Sequence, residues 1–188
     1  MSVIAFPCPA PVEPNRLRSI GRIVSISALV CAAGGVLAVP LLWSSDETLR
    51  HWIATQSPLE ARPFTLDLGT RFAGALLSLI GLAPVLYALL QLSMLFSRFA
   101  RGVVFATENA RRIRRMGLAL IVNAVMSPLV QMLMTINLTW ANRPGQRVVM
   151  FGIDQSHVLS ALSGLALIAF ATVMADAVRL WHENSEII

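Results

Sequence analysis

Four long apolar runs, at about residues 23–43, 72–96, 116–139 and 158–181, alternate with polar connections along the chain. At about 1.5 Å of rise per residue, each is long enough as a helix to cross a hydrocarbon core of roughly 30 Å. Pro84 and Pro128 sit near the middle of the second and third runs and predict kinks there, which serve either packing or a moving element. Small residues recur along the runs (Gly34, Gly35 and Ala38; Gly74, Ser78 and Gly81; Ser160, Gly164 and Ala166) and predict close helix contacts. Trp43, Trp140 and Trp181 fall at run ends, the placement of an aromatic belt, and Trp52 lies on the connection after the first run.

The connections divide the chain further. Residues 1–19 contain Pro7, Pro9, Pro11 and Pro14 and read as an extended, mobile tail; residues 20–181 form one membrane domain; residues 182–188 are an acidic tail. The first run lacks a small-x-small cleavage site, so it reads as a retained anchor. Ser44 and Glu47 have capping-box spacing, with Leu49, Trp52 and Ile53 following at helical spacing, which predicts a short helix on the outer surface. Pro58 and Pro63 break that segment, and Arg71 marks the return to the membrane. Between the third and fourth runs, Arg143-Pro144-Gly145 signals a turn, and Val148 to Phe151 read as dipping into the interface. The fold class that follows is all-α: an integral membrane four-helix bundle with a short outer surface helix and a basic cytoplasmic loop.

Composition agrees with that class. With 56% hydrophobic and 13% charged residues, the 188-residue chain is too apolar for an ordinary soluble domain. The net charge of +5 lies beside the apolar runs, which points to topology control and away from direct binding of nucleic acid. Every basic residue is arginine. Arg16, Arg18, Arg22, Arg98, Arg101, Arg111, Arg112, Arg114, Arg115 and Arg179 fall on one side, and Arg50, Arg62, Arg71, Arg143 and Arg147 on the other. The positive-inside rule then places both termini in the cytoplasm. Cys8 and Cys31 are too far apart along this layout to form a disulfide framework.

The segment Leu95 to Gly117 holds six arginines against one acid, Glu108. Thr107 is expected to cap a helix in which Glu108 precedes Arg112 by four residues, a helix that runs straight into the third span. With Phe99, Val103, Val104, Phe105 and Ile113 among the arginines, the loop is expected to lie against the anionic inner leaflet of the lipid bilayer. From Arg101-Gly102-Val103-Val104-Phe105-Ala106-Thr107-Glu108-Asn109-Ala110 through Arg115-Met116-Gly117, this segment resembles the signature loop of a bacterial membrane family, the domain-of-unknown-function 2975 group. That signature reads basic-Gly-x-x-Phe-[Ser/Thr]-x-Glu-Asn, then basic residues, Leu or Ile, and Gly; here Ala106 separates Phe105 from Thr107. The chain end, Leu180-Trp181-His182-Glu183-Asn184-Ser185-Glu186-Ile187-Ile188, is similar to the family's acidic tail, with Ile187 where threonine is usual. The resemblance implies a four-helix inner-membrane protein without established catalytic residues, in some members encoded beside a small helix-turn-helix regulator.

Groups for chemistry are sparse. Asp176 is the single acid in the predicted spans, and His51, His157 and His182 all read as lying outside them, so no buried nucleophile with a base is expected. Glu47 with His51, and Asp154 with His157, have helical spacings that could hold a divalent ion but read as solvated loop residues; neither metal nor cofactor is expected. Asp176 reads as a structural ion pair with Arg179 or Arg98, with a proton or ion relay as the alternative. Asn123, Gln91, Gln131 and Asn137 read as interhelical hydrogen-bond partners. Glu183 and Glu186 are expected near the loop arginines, either solvated or docked on Arg112 and its neighbours. The interaction residues are therefore Arg101, Gly102, Phe105, Thr107, Glu108, Asn109, Arg111, Arg112, Arg114, Arg115, Asp176, Glu183 and Glu186. The functional expectation is a non-enzymatic binding, protective or regulatory module with a protein or peptide partner, homo-oligomerisation being open. Immunity against a membrane-active toxin or bacteriocin, or partnership with a small regulator, would be instances. The alternative is a small transporter or channel subunit.

Overall fold

Five helices account for the apolar runs and the segment after the first of them: α1 (Pro14–Ser44), α2 (Asp46–Gln56), α3 (Leu68–Ala100), α4 (Thr107–Thr139) and α5 (Gln155–Ser185). The computed structural model describes residues 14–56, 64, 66–103, 106–143 and 145–185, with side chains from Arg18 to Ile53 in the first two helices and up to Leu180 in α5. The expectations for the rest of the proline-rich tail, Pro58, Pro63, Phe105, Pro144 and Glu186 lie outside these residues. Among the described residues there is no strand, and α1, α3, α4 and α5 are long and apolar enough to cross a membrane.

Helix starts differ from the sequence expectation at three places. The first helix begins at Pro14, inside the stretch assigned to the tail, because a proline in the first turn gives up an N–H that has no helical partner anyway. Ser45, not Ser44, caps α2: its hydroxyl accepts from the Thr48 N–H at 3.4 Å, while Ser44 donates back to Leu41 within α1. Ala106, not Thr107, precedes α4, and its carbonyl accepts from the Asn109 N–H at 2.9 Å with no side-chain cap. The start of α3 is capped by Asp67, which accepts from the Thr70 N–H and hydroxyl; the hydroxyl bond holds its carboxyl below the usual range. Pro40, Pro84 and Pro128 lie inside helices that continue past them.

The long helices pack as a row. Among the described residues, α1 packs on α3, α3 on α4 and α4 on α5, and neither α1 nor α3 approaches α5; α1 does not approach α4 either. This differs from the bundle expected, in which the first and last spans would also meet. Small residues make each contact. A Cβ on Gly21 would lie 2.8 Å from the Phe96 carbonyl oxygen, and one on Gly117 would lie 2.6 Å from the Gly164 carbonyl oxygen. Ser25 and Ser93 join α1 to α3 at 2.9 Å, and Asn137 donates to the Thr70 carbonyl at 2.9 Å between α4 and α3. Between α4 and α5, Ser160 donates to the Leu120 carbonyl at 3.0 Å and accepts from Asn123 at 3.3 Å. Away from these seams, Val30, Leu41, Phe72, Val125, Phe170 and Val173 are exposed, as lipid contact requires.

A cluster of buried hydrophobic side chains lies at the end of the row opposite the arginines. Val39 and Trp43 of α1, Leu49 and Ile53 of α2, and Met134 and Leu138 of α4 form it, with Phe64, Leu77, Leu82 and Val148 packed around. So α2 is docked on the protein through Leu49 and Ile53, which are almost fully buried. Trp43 is only 4% exposed, which removes it from the expected aromatic belt. Its ring lies over Gly74, and its indole N–H donates to Ser78 at 3.1 Å. Arg71 closes this end by donating to the carbonyls of Trp43 (3.1 Å) and Leu66 (3.2 Å) and pairing with Asp46.

Candidate functional site

At the arginine end, the loop between α3 and α4 is built by its own sequence. Gly102 has φ +83°, a conformation that costs a residue with a Cβ. It lets the Gly102 N–H reach Phe99 O at 2.9 Å and the Val103 N–H reach Arg98 O at 3.1 Å, a Schellman ending to α3. Asn109, fully buried in the first turn of α4, donates to Val103 O at 2.9 Å and ties the loop to the next helix. Glu108 then gathers three arginines: Arg111 at 3.3 Å, Arg112 at 3.6 Å and Arg115 at 3.9 Å. Arg112 is the inward member, its side chain 17% exposed, and donates to Gln91 at 3.1 Å and to the Met94 sulfur at 2.9 Å on α3. Arg101 folds back on Ser97. Arg114 stays exposed, beside a groove between α4 and α5 that Thr107, Arg111 and Thr172 also line.

The structure therefore brings Arg101, Gly102, Glu108, Asn109, Arg111, Arg112 and Arg115 together through one loop, and Thr107 and Arg114 border the adjoining groove. Asp176, on α5, is exposed, and α5 does not approach the helix that carries Arg98. With Gly117 opposite Gly164, Arg112 is level with Ala169, and Glu183 lies about fourteen residues further along a continuous helix. That is roughly 21 Å along the axis between the two backbone positions.

The other end holds a cavity that sequence reasoning did not assemble. It has a volume of about 400 Å³ and lies between Trp52 and Ile53 of α2, Ser78, Gly81 and Leu82 of α3, Ser127 to Leu138 of α4, and Asp154 and His157 at the start of α5. Its floor exists because α5 starts late. The same register puts Gln155 opposite Met126, so α4 continues about thirteen residues, roughly 20 Å, past the start of α5. Residues 146–154 are non-helical and cover that distance along α4. The Val148 N–H donates to Thr139 Oγ1 at 3.1 Å and the Met150 N–H to Thr135 Oγ1 at 3.2 Å. Side chains alternate along this segment: Val148 and Met150 are half-buried, while Val149, Phe151 and Ile153 are exposed. His157, expected outside the spans, is in the first turn of a spanning-length helix, where its Nδ1 accepts from the Asp154 N–H at 2.9 Å. Of the amides expected between helices, Asn123, Asn137 and Gln91 are placed so, whereas Gln131 lines the cavity. Among the described residues, no three His, Cys, Asp or Glu side chains are grouped as a metal site would need.

The arginine loop, helices α2 to α5 and the tail segment lie in the part of the chain that matches a family model, and all of α1 but its last turn precedes that part. No curated protein and no solved structure matches the chain. The family model, described as protein of unknown function (DUF2975), matches residues 41–188, and the chain belongs to that family.

Proposed function

We propose that the chain is a non-enzymatic binding module of the bacterial inner membrane, with both termini in the cytoplasm and the arginine loop as its cytoplasmic platform. The observation that carries this reading is the division of labour among the loop arginines. Arg112 and Glu108 fix the platform to α3, while the exposed Arg111, Arg114 and Arg115 face outward from it. Near an anionic leaflet each such arginine contributes about 1 kcal/mol, so the loop sits on the headgroups. A protein or peptide partner would meet the same surface. Protection against a membrane-active toxin, or partnership with a small regulator, is the form of activity that such a platform supports.

Deleting the gene and challenging cells with culture supernatant from siblings tests the protective form. Survival should fall on deletion and return with the wild type, but not with Arg111→Gln, Arg114→Gln and Arg115→Gln combined. Unchanged survival on deletion rules protection out. An alkaline phosphatase fused after Ile188 should be inactive; activity would overturn the orientation.

One observation favours a second reading, a small transporter or channel subunit. With Gly81 against Val130, Pro84 is level with Ser127, so both prolines stand at the level where α5 begins. Discontinuous helices are the usual setting of a transport site, and although α3 and α4 are continuous, paired prolines mark the places where such breaks would form. Proteoliposome flux of a solute that the protein binds would separate this reading from a binding module, which holds its ligand without moving it.

A further inference from the structure

We propose that the cavity between α2, α3, α4 and the start of α5 binds a lipophilic organic cation, with the Asp154 carboxylate as its counter-charge. The inference is independent of the arginine platform, which lies at the other end of the helices.

The start of α5 sets the position of the carboxylate. Asp154 immediately precedes α5, whose first residue is level with Met126 of α4. Asp154 is exposed and, with His157, forms the side of the cavity made by the start of α5.

Charge decides the class of ligand. Asp154 is the only acid among the lining residues, none of which is arginine, and among the described residues it has no ion pair. The contact of His157 with this residue is to its backbone: Nδ1 accepts the Asp154 N–H at 2.9 Å. Because Asp154 occupies the N-terminal end of α5, an anionic ligand would meet a like charge there. A cation would not.

The walls supply the rest. Ile53, Leu82, Val130, Met134 and Leu138 are apolar, and Trp52 offers an indole face, the best aromatic partner for a cation. A volume of about 400 Å³ is at the small end of ligand cavities, which run from about 300 to 1,000 Å³, and fits one compact molecule and not a whole phospholipid.

Tetraphenylphosphonium is the probe, titrated by calorimetry into the full chain in nanodiscs, with tetraphenylborate as its anion of like shape. The expected result is saturable binding of the phosphonium, weakened about ten-fold or more by Asp154→Asn and largely kept by Asp154→Glu, with no saturable binding of the borate titrated on its own. Ser127→Phe, which fills the cavity from α4 without touching the carboxylate, should also abolish binding and decides the matter if Asp154→Asn does not fold. Binding unchanged by Asp154→Asn or by Ser127→Phe, equal saturable binding of the borate titrated on its own, or no saturable binding of the phosphonium to the wild type would each overturn the proposal.

Discussion

Gly74 and Trp43 are one packing decision made at two positions. The indole ring occupies the space that a side chain at residue 74 would need, and its N–H finds Ser78 one turn further along the same helix. Gly74→Ala should therefore overpack this seam and cost about 1–3 kcal/mol, read as a lower thermal midpoint in detergent. Gly34, where a Cβ would meet nothing within 4 Å, is the control: Gly34→Ala should hold or raise the midpoint, since alanine is the better helix former. Equal losses at both positions would show that the Trp43 contact is not what requires glycine at residue 74. The two glycines look alike in the sequence, because a small residue in an apolar run does not say which of its faces meets a neighbour. For the same reason Trp43 read as a belt residue: its position at the end of a span was legible, and the direction of its ring was not.

At the scale of elements, the four spanning-length helices were legible because each is a run of more than twenty mostly apolar residues, and α4 continues from the arginine loop into its span as Glu108 and Arg112 suggested. Only backbone hydrogen bonding explains what was missed. The apolar segment Val148 to Phe151 read as an interfacial dip, yet it descends beside α4 because Thr135 and Thr139 give its N–H groups partners that lipid cannot. Hydroxyls a turn apart on a helix are common, so nothing in the pattern marked these two as anchors. Replacing both threonines by valine keeps their shape and removes the acceptors. Hydrogen exchange at the Val148 and Met150 amides should then rise, with stability lower by about 0.5–1.5 kcal/mol per lost bond and exchange within α5 unchanged. Unaltered exchange at those two amides would mean that the segment is held by its side chains alone.

At the scale of the molecule, the row of helices sets the architecture apart from a bundle, and it is the feature least readable from sequence. Every apolar run offers a stripe of small residues, and such stripes specify that helices meet, not which ones. Among the described residues, α1 and α5 each have a single long neighbour, so both ends of the row are left to lipid or to another chain. The arrangement makes a distance prediction. Ser25 and Ser93 are bonded at 2.9 Å, close enough that cysteines at both positions should oxidise to a disulfide. Carrying the α1, α3, α4 and α5 registers across the row puts Ser25 level with about Ser163, two helices away. At 8–10 Å per helix contact that separation is roughly 25 Å in a straight row, against a direct contact if the spans closed into a bundle. With Cys8 and Cys31 changed to serine, copper-catalysed oxidation in native membranes should link Ser25→Cys to Ser93→Cys within one chain and leave the Ser25→Cys, Ser163→Cys pair unlinked. A crosslink within one chain in the second pair would mean that α1 and α5 meet and the row is closed. A crosslink between chains would instead show that the free edges of two rows pack together, giving the two outermost helices the neighbours they lack within a single chain.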